Sequence, residues 1–242
     1  MWGERMEITK KALQLFLQSL PAKSYYQLVG FGSDYIKYDE KPKEYTQENI
    51  NESIKLIETL QGDLGGTNIY APLSDISFAT FDNLNLRKNI FLLTDGYIDD
   101  RGKTLNFIKD NNSKFRIFSI GIGNSFDEEL IKESGLYGRG GYNFCKKLDG
   151  LNSIIAKEIN NSNSLWISNF KAKCSLDNDN ICEIKLPEII RENDIVNLNY
   201  IIPRKTISKI NLEITYNVDN NEKIEKKYEI VPKIIPEKKY LN

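Results

Sequence analysis

The stretch of the chain that most constrains its fold is Lys88 to Gly96. Its apolar residues Ile90 to Leu93 are consecutive, which is typical of a strand buried on both faces of a parallel sheet. Thr94, Asp95 and Gly96 end this strand with two oxygen-bearing side chains and a chain breaker. Because ligands of open α/β sheets bind beyond the carboxyl ends of the strands, Asp95 is the first candidate site residue. The alternative is that Asp95 only caps the next turn.

Helical and strand patterns alternate on both sides of this stretch. Helices are predicted over 4–20, 46–60, 72–81, 103–111, 127–134 and 148–160, and further strands over 25–32, 35–38, 115–122 and 142–145. The glycine-rich residues 138–141 indicate a flexible loop. Strands that alternate with helices predict a parallel, doubly wound α/β sheet, and we expect the strand at 90–93 to lie at its centre.

The pattern changes at residues 160–164, a run of asparagine and serine. Beyond this run, β-branched or alternating stretches predict strands over 165–175, 181–186, 195–202, 210–218 and 223–231. We therefore predict an α/β domain over 1–164, a small β-sandwich-like module over 165–231 and a charged tail over 232–242.

The composition excludes several classes of function. The chain has no histidine, which removes Ser-His and Cys-His catalytic pairs and every His-ligated zinc site. No nucleophile, base and orienting group occur together, so we predict that the chain is not an enzyme. A formal charge of -1 without blocks of like charge disfavours nucleic acid as a partner. No apolar run approaches the ~18 residues of a membrane span, and the charged N-terminal residues are unlike a signal peptide, so we expect a cytoplasmic protein.

The three cysteines are Cys145, Cys174 and Cys182. Their odd number and the absence of Cys-x-x-Cys spacing favour reduced thiols over a disulfide framework or a thiolate metal site. Cys174 and Cys182 could face each other across a hairpin that closes at residues 178–179. We expect this turn to leave them offset in register, which disfavours a disulfide.

A second glycine pattern, Gly121-Ile122-Gly123, follows a predicted strand. Phe126 stands where the third glycine of a dinucleotide-binding loop would be, and the chain has no Gly-Lys-Ser or Gly-Lys-Thr phosphate loop. Nucleotide binding is therefore not expected.

Three segments together resemble a von Willebrand factor A domain. They are Val-Gly-Phe-Gly-Ser at 29–33, Gly-Gly-Thr-Asn-Ile at 65–69 and Leu-Leu-Thr-Asp-Gly at 92–96. More narrowly, Gly-Glu-Arg-Met at 3–6 is similar to the A domains of the inter-alpha-trypsin inhibitor heavy chains and the vault-associated poly(ADP-ribose) polymerase. The resemblance covers about residues 1–164 and implies a Rossmann-like fold.

The resemblance also implies a metal-ion-dependent adhesion site. In the family this site is built from an Asp-x-Ser-x-Ser loop, a threonine and an aspartate. Thr67 matches the threonine and Asp95 the aspartate. A divalent cation such as Mg²⁺ there would bind an acidic side chain of a protein partner, with the domain acting as part of a larger complex.

The sequence departs from the family at its start, because Met1 stands where the methionine after Asp-x-Ser-Gly-Ser would be. We interpret the chain as truncated before the first strand and its loop. Since Mg²⁺ prefers about six oxygen ligands, Thr67 and Asp95 alone should hold it weakly or not at all. The alternative function is a metal-independent structural domain of a larger assembly. The alternative role of Thr67 and Asp95 is only to satisfy backbone groups of their loops.

Overall fold

A computed structural model of the chain describes residues 3–79, 86–98, 100–165, 167–176, 180–184, 190, 195, 208–218 and 222–231. The chain divides into two compact units, 1–163 and 164–242. The helices of the first unit are α1 (Glu4–Ser19), α2 (Gln47–Thr59), α3 (Tyr70–Phe78), α4 (Arg101–Asn111), α5 (Glu128–Tyr137) and α6 (Leu151–Asn163). Its strands are β1 (Tyr25–Tyr26), β2 (Val29–Phe31), β3 (Tyr35–Lys37), β4 (Lys43–Glu44), β5 (Lys88–Thr94), β6 (Phe115–Ile122) and β7 (Arg139–Cys145).

Short oxygen-bearing side chains begin three of these helices. Thr46 precedes α2, Asp100 precedes α4 and Asp127 precedes α5. Each accepts a hydrogen bond from the backbone N–H three residues further along, which satisfies a donor that the helix itself leaves without a partner. These caps fix where the helices start and therefore where the preceding loops end.

β5, β6 and β7 form a parallel sheet in that order. The side chains of β6 are buried on both faces: Ile120 and Ile122 pack in a cluster with α1 and α6, whereas Phe115 and Ile117 pack with α3, α4 and α5. Helices on both faces of a parallel sheet confirm the predicted α/β class. The prediction that β5 is central is wrong for this sheet, because β6 is the strand with neighbours on both sides.

Two of the predicted segments of the first unit differ from the structure in kind. The strand predicted over 25–32 is divided, since β1 pairs with β4 and β2 forms a hairpin with β3. The flexible loop predicted over 138–141 is wrong, because β7 already begins at Arg139. A Cβ at Gly140 would lie 2.0 Å from the carbonyl oxygen of Ile117, so glycine there allows β7 to approach β6 where the register shifts.

The second unit contains β8 (Ile167–Leu176), β9 (Asn180–Glu183), β10 (Ile210–Val218) and β11 (Glu222–Ile230). They form an antiparallel sheet in the order β11-β10-β8-β9. The expected offset between two of the cysteines is wrong, because the ladder pairs Cys174 directly with Cys182. The strand predicted over 195–202 and the tail over 232–242 lie outside the described residues apart from residue 195. The sandwich-like character of this module stays a prediction.

None of the helices in the described part of the chain has both the length and the apolar character needed to cross a membrane.

Candidate functional site

The loop that carries Thr67 is fastened to the turn after β2. The Ser33 N–H donates to the carbonyl of Leu64 at 2.8 Å, and the Asn68 N–H donates to the carbonyl of Gly32 at 2.7 Å. Two of the three segments that carry the family resemblance therefore contact each other. Thr67 itself is partly buried in this loop.

Asp95 follows directly on β5, and its side chain is 13% exposed. A Cβ added at the next residue, Gly96, would lie 3.0 Å from Oγ1 of Thr67. The loop after β5 and the loop that carries Thr67 are therefore in contact. The structure brings the two predicted site residues to the same end of the sheet. That they act as metal ligands stays a prediction.

Arg5, in the first turn of α1, is a site residue that the sequence analysis did not identify. Its Nη1 lies 2.9 Å from Oδ2 of Asp95, and its side chain is 41% exposed. The only sequence signal was its place in the Gly-Glu-Arg-Met segment of the family resemblance. The pattern of residues around Arg5 gives no indication that its side chain reaches Asp95 at the end of β5, because the two residues are far apart in the sequence.

A cavity of about 250 Å³ opens beside Arg5. Its other walls are formed by Glu4 and Ile8 of α1, the loop 123–125 after β6, and Lys146 after β7. Gly123 has a φ of +85°, and a Cβ there would lie 2.8 Å from Cδ of Arg5. The aliphatic part of the arginine therefore rests against bare backbone.

The residues present do not fit a divalent cation. The carboxylate of Asp95 already pairs with the guanidinium of Arg5, whose positive charge would repel an ion bound to the same oxygen atoms. Thr67 adds one hydroxyl, whereas Mg²⁺ prefers about six oxygen ligands. Among the described residues, no group of three or more His, Cys, Asp or Glu side chains is arranged to hold a metal ion.

The sequence profile of the von Willebrand factor type A domain matches residues 1–144. The chain belongs to the von Willebrand factor A domain family. This confirms the resemblance inferred from the sequence, whereas the narrower likeness to inhibitor heavy chains and vault polymerase, and the truncation, stay predictions. Von Willebrand factor A domains are generally protein-interaction modules, and some carry a metal site.

Curated relatives are longer proteins that contain this domain. The von Willebrand factor A domain-containing protein 5A of Rattus norvegicus is 38% identical over 128 residues, which cover 53% of this chain and 16% of the relative. A von Willebrand factor A domain-containing protein of Dictyostelium discoideum is 30% identical over 171 residues, which cover 71% of this chain and 18% of the relative. The chain thus spans less than a fifth of the length of these relatives.

Solved structures of other A domains share the fold. A von Willebrand factor type A protein from Catenulispora acidiphila superposes with a TM-score of 0.64 at 12% identity, over 93% of this chain and 62% of that one. Proximal thread matrix protein 1 from the mussel byssus, solved with zinc in its metal-ion-dependent adhesion site, superposes with a TM-score of 0.50 at 15% identity. That match covers 63% of this chain and 39% of the mussel protein.

Proposed function

We propose that this A domain is a non-catalytic protein-interaction module that recognises its partner at the carboxyl end of the β5-β6-β7 sheet without a divalent cation. Membership of the family supports the interaction function. The fold supports the proposed position, because the loops that follow parallel strands leave their side chains open to a ligand at this end.

The observation that carries the proposal is the ion pair between Arg5 and Asp95 at 2.9 Å. A bound cation in an adhesion site supplies a positive charge next to the aspartate. In this chain a guanidinium supplies a positive charge there, and it belongs to the protein itself. Partner binding at this end then requires no metal ion.

An exposed aromatic side chain lies in the same loop. Tyr97 follows Asp95 by two residues and is 68% exposed. Tyrosine contributes large contact area and a hydroxyl to protein interfaces, and it is enriched among the residues that dominate binding energy. Tyr97 is therefore the side chain at this end that we expect to contribute most to partner binding.

The metal-assisted mode implied by the family resemblance is the second candidate. The zinc-occupied mussel protein supports it, because that protein shares the fold. In this mode the Asp-x-Ser-x-Ser loop, which the printed sequence does not contain, would join Thr67 and Asp95. Asp95 would have to exchange Arg5 for the ion.

Affinity capture with quantitative mass spectrometry tests the proposed function. The baits are the unsubstituted chain and its Tyr97→Ala and Tyr25→Ala variants. Each bait is used once in a buffer with EDTA and once in a buffer with Mg²⁺. Tyr25 is the matched control, because it is an exposed tyrosine on β1, a strand outside the parallel sheet. We expect the Tyr97→Ala bait to lose proteins that the other two baits retain. This loss should be the same in EDTA and in Mg²⁺. Capture that survives Tyr97→Ala would remove this end of the sheet from recognition, and capture only in Mg²⁺ would establish the metal-assisted mode.

A further inference from the structure

The cavity beside Arg5 lies where two neighbouring loops leave the sheet in opposite directions. The helix after β6, α5, packs on one face of the sheet, and the helix after β7, α6, packs on the other. In open α/β sheets such a divergence leaves a crevice beyond the carboxyl ends of the two strands. The loop 123–125 and Lys146 form the crevice walls at this point.

The charged groups that line the cavity are Arg5, Lys146 and Glu4, and the carboxylate of Asp95 pairs with Arg5 beside it. Lys146 is exposed and forms no ion pair with another described residue. Arg5 directs Nη1 to Asp95, but a guanidinium has five N–H donors, and the side chain also lines the cavity. The cavity therefore offers cationic donors to an anionic group.

We propose that this cavity binds an acidic side chain of the protein partner directly, with Arg5 and Lys146 donating to its carboxylate. The inference rests on the proposed function and adds the chemistry of the group that is recognised. Arginine and lysine form charge-assisted hydrogen bonds with carboxylates, and these are stronger than neutral ones. Asn124 and Ser125 are exposed at the cavity and supply neutral polar groups.

The arginine is held in place before a ligand arrives. Asp95 fixes one end of its guanidinium, and the stem lies against Gly123. Less side-chain entropy is then lost on binding than for a free surface arginine. The size also agrees, because a cavity of about 250 Å³ is large enough for a carboxylate side chain with some of its hydration.

This inference is tested by a nuclear magnetic resonance titration of the ¹⁵N-labelled chain in EDTA at low ionic strength. The probes are the capped peptide acetyl-Gly-Glu-Gly-amide, its Gln counterpart and inorganic phosphate. We expect the Glu peptide to shift the amides of Gly123, Asn124, Ser125 and Lys146, with a dissociation constant on the order of 1 mM for such a small ligand. The Gln peptide should leave these amides unshifted.

Three single variants identify the groups responsible. Lys146→Ala should weaken binding of the Glu peptide by about three- to tenfold, and Glu4→Gln should strengthen it, because they remove an attractive and a repulsive charge. Lys147→Ala is the matched control, since Lys147 is the exposed neighbour and does not line the cavity. Equal shifts with the Gln peptide, or equal effects of Lys146→Ala and Lys147→Ala, would overturn the inference. Shifts with phosphate but not with the Glu peptide would also overturn it, by assigning the cavity to phosphate groups.

The two proposals fail separately. If the Glu peptide does not bind while protein capture depends on Tyr97, the inference fails and the proposed function stands. If the Glu peptide binds as expected while capture is independent of Tyr97, the cavity binds carboxylates but the proposed recognition surface is wrong.

Discussion

The backbone N–H of Gly123 donates a hydrogen bond to the carbonyl oxygen of Cys145 at 2.9 Å. This bond joins the residue after β6 to the last residue of β7, where the two strands separate toward their helices. Gly123 holds this position with a φ of +85°, a conformation that residues with a side chain rarely adopt. The shape of the site beside Arg5 therefore depends on a glycine.

Gly123→Ala should lower the free energy of unfolding by about 1–2 kcal/mol, because the left-handed backbone conformation is strained for alanine. The new methyl group would also displace the stem of Arg5. Urea unfolding followed by circular dichroism measures the change. Gly102→Ala is the control: a Cβ at Gly102 in α4 meets nothing within 4 Å, so the better helix propensity of alanine should raise stability by up to about 1 kcal/mol. An unchanged free energy of unfolding in Gly123→Ala would show that the backbone conformation at this position is not strained for alanine.

A double-mutant cycle between Arg5 and Asp95 should give a coupling free energy of about 1 kcal/mol in favour of the pair. The carboxylate is largely buried, so water screens the attraction less than at an open surface. The Arg101–Glu129 pair is the control, with a shorter distance of 2.7 Å but with side chains 44% and 72% exposed. We expect its coupling to lie below about 0.5 kcal/mol. Chemical unfolding of the four proteins of each cycle gives both values, and equal couplings would show that burial of Asp95 is unimportant.

Lys88→Met should destabilise the first unit by about 1–3 kcal/mol, because it leaves backbone carbonyls without a donor. The ammonium of Lys88 donates to the carbonyls of Ile76 at 3.2 Å and Ser77 at 3.0 Å, and also to that of Ala79, at the end of α3. Burial lowers the pKa of Lys88, assisted by the nearby charge of Lys114.

Thermal unfolding of Lys88→Met and Lys55→Met checks this expectation. Lys55 is an exposed residue of α2, so its substitution should stay within about 0.5 kcal/mol of the parent chain. Similar losses in the two variants would show that the hydrogen bonds of Lys88 contribute little.

The carboxylate of Asp75 should make stability depend on pH in the acidic range. Its hydrogen bonds from Lys37 and Tyr35 hold the pKa of Asp75 below its ordinary value of 3.8, with Lys37 as the larger cause. A carboxyl group with a lowered folded-state pKa stabilises the protein above its unfolded-state pKa, and this contribution is lost as the pH falls through the folded-state pKa. The stability advantage of the parent chain over Asp75→Asn should therefore be present at pH 5 and smaller below pH 4.

Urea unfolding of the parent and Asp75→Asn at a series of pH values measures this difference. The effect should be small, because both Asp75 and Lys37 are about one-third exposed. Asp110→Asn, at an exposed position of α4, serves as the control. A difference between parent and Asp75→Asn that stays constant from pH 5 to pH 3 would contradict the pKa shift.

Local sequence patterns predict much of this fold, because burial and capping are encoded in neighbouring residues. The consecutive apolar residues Ile90 to Leu93 predicted a strand buried on both faces, and in β5 Leu93 packs in the cluster with α1 and α6 whereas Leu92 packs in the cluster with α3 and α4. Asp127 precedes α5 as a capping residue within the predicted helix. The family resemblance, and not a local pattern, assigned Thr67 and Asp95 to one site, and the loops that carry them are in contact.

The remaining differences depend on contacts between distant segments. The glycine at 140 suggested a loop, but the carbonyl of Ile117 on another strand requires it. The order of the strands makes β6 rather than β5 central, and no local pattern distinguishes two buried strands. Arg5 was missed for the same reason, because its partner Asp95 is reached only through the packing of α1 on the sheet.

Arg5 is part of the chain, so the positive charge that it places next to Asp95 does not depend on a dissolved ion. An ion in an adhesion site comes and goes with its free concentration, so a chelator or a change of compartment alters its occupancy. The guanidinium next to Asp95 is carried by α1 and cannot be diluted or removed. In the proposed metal-free mode, the positive charge at this end is therefore constitutive.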